Sequence, residues 1–397
     1  MTSAASASNS DLPNPGHLHI VIPDSLIQHL WTSLLLAFLS LTFLAYTYTS
    51  TYWRRTRSTS KLSTMTDAPS IAAAEVAATT KPIPPPGQVR VSKILIHPIK
   101  SCRGVSVPSA NYTAEGIEND RIWCIIDAKA VKVITAREIS KMVLIEPTIE
   151  ENDILKISFP EESGIAPVSV PIHPAEDVLN KWKVFSKTIA LWPGVDVDGY
   201  VCEAVSGPRG TVSLALSKFL EKPVHLVLKG PIARKIDPTE THPDLDTTTK
   251  FQDGYPLLVL SEESTGSVDE YTQKHIGTQG ISESWKTDKV TIERPNIVFS
   301  GGGPFAEDDW EEISLGSASA PTISLVSKCT RCLLPNVSPE TGVRDNAVPF
   351  KVLMKFRTGI DPNHKLKPCV GCNAVPSASG TVKVGDWVYV KKMFAGP

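Results

Sequence analysis

A chain of 397 residues with 41% hydrophobic and 21% charged side chains has a globular composition, which excludes a mainly disordered protein. A formal net charge of −2 leaves no basic footprint for a polyanion, so nothing points to nucleic acid. Seven cysteines in so long a chain exclude a dense secreted disulfide scaffold and favour reduced thiols put to metal or redox use.

From Ser25 to Trp53 there is no Lys, Arg, Asp or Glu. Within this stretch Leu30 to Ser50 is long and apolar enough to cross a bilayer as a helix, which takes about 20 residues. Trp31, Tyr48, Tyr52 and Trp53 stand at its two ends, where amphipathic rings favour the headgroup layer. A cleaved secretory signal would need a basic region before the apolar run, and no Lys or Arg precedes Arg54. The basic cluster Arg54, Arg55, Arg57 and Lys61 follows it instead, so the positive-inside rule leaves the C-terminal bulk facing the cytosol. The expected order is an N-terminal segment 1–29, a transmembrane anchor 30–50 and a Ser-, Thr-, Ala- and Pro-rich linker 51–88.

The globular part starts at Val89 and reads as mostly β with some α. VRVSKILIHPI alternates apolar and polar residues, and RIWCIID, KVITA, ILKISF and VSVPI follow between Asp, Asn, Gly and Pro turns. Short strands at that spacing predict a barrel or sandwich. Thr211 to Leu220 has helical spacing, and VHLVLK after it reads as a strand. Further on, PLLVLS predicts a buried strand. SEESTGSVDEYTQK predicts a helix with Ser261 as N-cap and Glu262 and Glu263 set against the helix dipole. NIVFSG, two strands in ISLGSASAPTISLVS, a helix in VPFKVLMKFR and a closing hairpin-like strand pair in TVKVGDWVYV complete the order.

Two Cys-x-x-Cys pairs, Cys329 with Cys332 and Cys369 with Cys372, stand out chemically. Thiolates are soft ligands, and two such pairs can close a tetrahedral zinc site. The gap between them exceeds the roughly 15–20 residues usual for that arrangement. Zinc, another metal or redox role, and plain packing all stay open on spacing alone. Lys100 and Ser101 follow one predicted strand, Arg121 opens another, Arg294 and Asn296 precede a third, and Arg331 lies inside the first pair. Thiols combined with Arg, Lys, Ser and Asn donors suit a ligand that carries both a soft metal and an anionic group. The glycines 301–303 fit neither a dinucleotide fingerprint nor a P-loop and hint only at close backbone approach. No histidine stands out as a proton donor. Glu307 and Asp308 are weak candidates that read first as surface acids.

HPIKSCRG, DRIW, TARE, ERPNIVFSGG with AEDDW, CTRC with SPETG and the closing TVKVGDWVYV, in that order from Val89 to Val390, resemble the MOSC-domain family. The resemblance implies a β-barrel-type N-terminal region over 89–230 and a MOSC domain over 231–397. It implies a molybdenum–molybdopterin cofactor, with Cys332 as metal ligand and catalytic residue. Lys100, Ser101, Arg121, Arg294, Asn296, Thr330 and Arg331 match positions that hold the pterin and its phosphate, and Asn373 matches a further cofactor contact. The implied activity is reduction of N-hydroxylated compounds such as amidoximes and hydroxylamines. Electrons would come from cytochrome b5 and its NADH-dependent reductase, with the enzyme anchored in the mitochondrial outer membrane. The resemblance leaves Cys369 and Cys372 unexplained, matches the stretch 235–256 only loosely and meets unusual glycines at 302 and 303. Two alternatives come from other classes: a MOSC-type sulfur carrier or cofactor-binding protein, and a zinc-binding membrane-tethered adaptor.

Overall fold

A computed structural model describes residue 40 and residues 81–202, 211–292 and 294–394. The expected anchor over 30–50 lies outside the described residues apart from Ser40, as does most of the expected linker. Among the described residues no helix is long and apolar enough to cross a membrane.

The fold is β-rich with a few helices, and two β structures dominate it. An eight-stranded sheet runs in the order Val105–Val107, Arg90–Ile96, Ile297–Ser300, Leu257–Ser261, Cys369–Pro376, Ile323–Thr330, Trp310–Leu315, Val388–Met393. Only Leu257–Ser261 and Ile297–Ser300 pair in parallel; the other neighbours are antiparallel. The first globular strand thus joins a sheet whose other long strands come from the C-terminal half. A closed five-stranded barrel is built from Lys183–Trp192, Val195–Val201, Val224–Lys229, Trp123–Asp127 and Lys132–Val133.

Burial explains why these segments are strands. In Arg90–Ile96 the buried residues Val91, Ile94 and Ile96 face the sheet's core with Phe299, Trp310 and Leu325. Each such fully buried side chain contributes about 1.5–3 kcal/mol of transfer free energy. Trp123–Asp127 is apolar on both faces because Cys124 and Ile126 point into the barrel while Trp123 and Ile125 pack outside it against Leu216 and Phe219. The latter two belong to the helix Val212–Leu220, which starts where Thr211 accepts a cap bond from the Leu214 N–H at 3.2 Å.

Two local expectations change, and the close backbone approach expected at the glycine run is met. TVKVGDWVYV does not fold back on itself: Gly380–Lys383 pairs with Ser109–Thr113, and Val388–Met393 pairs with Trp310–Leu315. Ser261 does stand at the N-cap of the helix Glu262–Lys274, but its hydroxyl binds Glu307 and the Ser264 hydroxyl and makes no cap bond to a helix N–H. The glycine run supports packing: a Cβ on Gly301, at φ +92°, would lie 2.2 Å from the Gln88 carbonyl oxygen, and Gly302 packs on Trp310.

Candidate functional site

The ends of the first two long strands are knitted together. Past Ile96 the chain turns so that the Lys100 N–H donates to Trp123 O at 2.8 Å, while the Arg121 N–H donates to His97 O at 2.7 Å. That crossing sets Lys100, Ser101 and Arg121 side by side at one end of the sheet. Asn296 stands just before the strand Ile297–Ser300. Its backbone bonds Leu258 O at 2.7 Å and the Leu95 N–H at 2.8 Å, and its side-chain oxygen accepts from the Leu258 N–H at 3.1 Å. Arg121 reaches Asn296 Oδ1 at 3.4 Å and Arg294 O at 3.1 Å. The C-terminal contribution is Cys329 and Thr330 at the end of one strand, with the Arg331 N–H bound to Pro368 O at 2.8 Å, and Asn373 from the adjacent strand. The Asn373 amide donates to Ser327 Oγ at 3.0 Å.

These segments enclose one cavity. All nine residues singled out from the sequence line it: Lys100, Ser101, Arg121, Arg294, Asn296, Thr330, Arg331, Cys332 and Asn373. The backbone is strained there. Ser101, Arg121 and Arg294 have φ of 71°, 51° and 83°, and they are three of the ten non-glycine residues at positive φ among the described residues. Left-handed backbone costs about 1–2 kcal/mol for an L-residue, and such strain clusters where a side chain must be aimed.

The cavity is strongly basic. Among the described residues five cations line it, Lys100, Arg121, Arg137, Arg294 and Arg331, against one carboxylate, Asp253. Burial pushes the Lys100 ammonium down to about 8, with Arg294 and Arg121 adding to that and Asp253 opposing it. Behind Arg121 lies a buried pair. Asp120 is fully buried, binds Arg121 Nη1 and accepts from the His97 N–H at 2.8 Å. Burial works against its ionised form, but Arg121 and His97 outweigh it and hold the carboxyl well below the usual range. Burial, then Arg121, pushes His97 down to about 3, so the imidazole is neutral.

The two cysteine pairs separate. Cys332 is half-buried and lines the cavity, where Cys329 also sits, with Arg331 Nη1 at 3.4 Å from its sulfur. Cys369 and Cys372 are buried in the strand Cys369–Pro376. Burial raises the Cys369 thiol to about 11 and the Cys372 thiol well above its ordinary value. Cys372 donates to Glu307 O at 3.2 Å instead. Among the described residues no group of three or more His, Cys, Asp or Glu converges as a candidate metal site. Glu307 is no surface acid: it is fully buried, gripped by Ser261 and Ser264, and absent from the cavity lining.

Further lining residues are Arg137, Gln252, Asp253, Gly254, Tyr255, Leu258, Leu334 and Pro335. Arg137 belongs to the TARE motif and was within reach of the sequence. Gln252 to Tyr255 fall in the stretch that matched only loosely. Gln252 is buried and holds the turn by accepting from Thr249 Oγ1 and the Lys250 N–H, both at 2.6 Å.

Comparison with known proteins supplies the frame. Residues 88–222 match the model of the MOSC N-terminal beta barrel domain, and residues 246–389 match that of the MOSC domain. The human protein named mitochondrial amidoxime reducing component 2 is 30% identical over 307 residues, spanning 75% of this chain and 82% of its own length. Human mitochondrial amidoxime-reducing component 1 is 29% identical over 312 residues, 76% and 82% respectively. Its Danio rerio counterpart is 30% identical over 307 residues, 75% and 84%.

Proposed function

The chain belongs to the MOSC-domain family, and on that footing we propose that it is a molybdenum-cofactor oxidoreductase that reduces N-hydroxylated compounds such as amidoximes and hydroxylamines. The observation that carries this reading is the convergence, among the described residues, of two half-buried thiols, five cations and several amide and hydroxyl donors on a single cavity. That donor set suits a molybdenum–molybdopterin cofactor: a soft ligand for the metal, amides and hydroxyls for the pterin edge, and cations for its phosphate. When bound, the cofactor supplies the two-electron redox chemistry that N–O reduction requires.

The chain's own residues do the rest. Cys332 would ligate the metal. Lys100, Ser101, Arg121, Arg294, Asn296, Thr330 and Arg331 would hold the pterin and its phosphate, with Asn373 as a further contact. Asp120 fixes the Arg121 guanidinium, with neutral His97 behind it. Burial raises the Tyr255 phenol, so its Oη keeps a proton at the cavity wall. Electrons come from cytochrome b5 and NADH–cytochrome b5 reductase in this reading. The segment 30–50 tethers the enzyme to the mitochondrial outer membrane with its bulk in the cytosol, where sharing a surface with those donors raises their effective concentration. The names of the relatives, which call them mitochondrial, support the organelle in that placement.

The test is NADH oxidation by the full-length chain with cytochrome b5, the reductase and an aromatic amidoxime. The wild-type chain converts amidoxime to amidine, and Cys332→Ser does not. Molybdenum-loaded wild-type protein that leaves the amidoxime intact contradicts the reading.

A further inference from the structure

Arg137, Trp192 and Asp253 stand outside the nine residues taken from the sequence, yet they form one feature with Lys100. The indole of Trp192 carries two cations: Lys100 Nζ and Arg137 Cζ each lie 4.8 Å from its centroid. Trp192 closes the barrel strand Lys183–Trp192, at a two-residue turn where Gly194 has φ +80°. The turn bearing Arg137 is fixed from the other side, since Arg344 Nη2 donates to Ala136 O at 3.0 Å and to Arg137 O at 2.8 Å. The barrel therefore sets the position of both charges. Lys100 is almost wholly buried, and its ammonium also donates to Phe251 O at 2.7 Å.

Two cations held on one ring repel each other unless an anion lies near both. Asp253 fills that role. It is the only carboxylate among the described residues of the cavity lining, it pairs with Lys100, and it lies within the field of Arg137 and Arg294 as well. Its side chain is 57% exposed while that of Lys100 is 3% exposed. The acid is thus at the rim, while the cation is buried beneath it.

We infer that Lys100, Arg137 and Trp192 make a phosphate-monoester subsite in which Asp253 is a built-in counter-ion that the incoming phosphate displaces. Arg137 is a direct ligand of the phosphate. Trp192 is a positioning residue that holds the two cations at their separation. Asp253 offsets part of the cluster's positive charge before the phosphate arrives and sets how tightly a phosphate binds. The inference rests on the proposed function for the identity of the ligand, the phosphate of the pterin, but the subsite is defined by its own charges.

The experiment uses the full-length chain made in a host without the molybdenum cofactor, with inorganic phosphate as the probe and calorimetry as the readout. Removing the competing carboxylate with Asp253→Asn tightens phosphate binding about tenfold, and Arg137→Gln weakens it by a similar factor. Trp192→Leu weakens it several-fold, and Trp192→Phe restores most of the loss because a ring face is again present. Far-ultraviolet circular dichroism verifies that each variant is folded. Phosphate affinity that is unchanged or weaker in Asp253→Asn overturns the inference. A second arm separates free phosphate from cofactor phosphate: chain loaded with cofactor no longer binds the probe, because the subsite is filled. Loaded chain that binds phosphate as tightly as cofactor-free chain also overturns it. If the chain takes up no molybdenum in any host while the variants follow the expected order, the subsite stands and the cofactor reading fails.

Discussion

The chain contains the same motif twice, and the two copies meet opposite surroundings. Cys329 and Cys332 sit where a strand runs out into a basic cavity; Cys369 and Cys372 sit inside the neighbouring strand, packed away from water. Spacing is identical, so spacing cannot decide the chemistry. A thiol at a strand end with cations around it is available as a ligand, whereas burial, with acids nearby, keeps the proton on the sulfur of Cys369 and Cys372. One region opens into a charged cavity; the other is buried, with the Arg357–Asp308 pair beside it, and each can be broken in its own way.

The largest expected effect is on the charged side. Asp120→Asn leaves Arg121 buried without its counter-ion, which should cost about 3–5 kcal/mol of stability in chemical unfolding. A loss under 1 kcal/mol would mean that the charged side is not held by that pair. On the packed side, Cys372→Ser places a hydroxyl in a fully buried position and should cost about 1–3 kcal/mol. Cys332→Ser in cofactor-free protein should change stability by less than about 0.5 kcal/mol, because that thiol is only half-buried. Equal losses at the two positions would erase the distinction.

A smaller effect separates the regions by pH. Lys100 is charged below about 8 and neutral above it, so its attraction for an anion is present at lower pH and is lost as pH rises through that value. Phosphate affinity should therefore fall between pH 7.5 and 9, and Lys100→Arg should flatten the dependence. The smallest effect is in reactivity. In the native cofactor-free chain, Cys329 and Cys332 should react with a maleimide before Cys369 and Cys372, as peptide mapping will read out.

Sequence reading reached the β-rich character, because alternation in VRVSKILI and the apolar run in RIWCIID report half-buried and fully buried strands directly. It reached the nine cavity residues through ordered motifs, although these residues lie far apart in the chain. Long-range pairing was not legible. Nothing in TVKVGDWVYV says that its two strands seek different partners, or that Arg90–Ile96 joins a sheet about 200 residues downstream. Charge in a sequence also carries no depth, which is why Glu307 reads as a surface acid and proves buried between two serines. Trp192 was silent for the same reason: its meaning comes from Lys100 and Arg137, and only the fold brings them to it.

The central claim is that one of two identical motifs holds the metal. Molybdenum content of the full-length chain, purified from a host that makes the cofactor and measured by mass spectrometry, tests it most directly. The account predicts stoichiometric molybdenum in the wild-type chain and in Cys372→Ala, and none in Cys332→Ser. Molybdenum retained by Cys332→Ser, or lost on substitution of Cys372 alone, would contradict it.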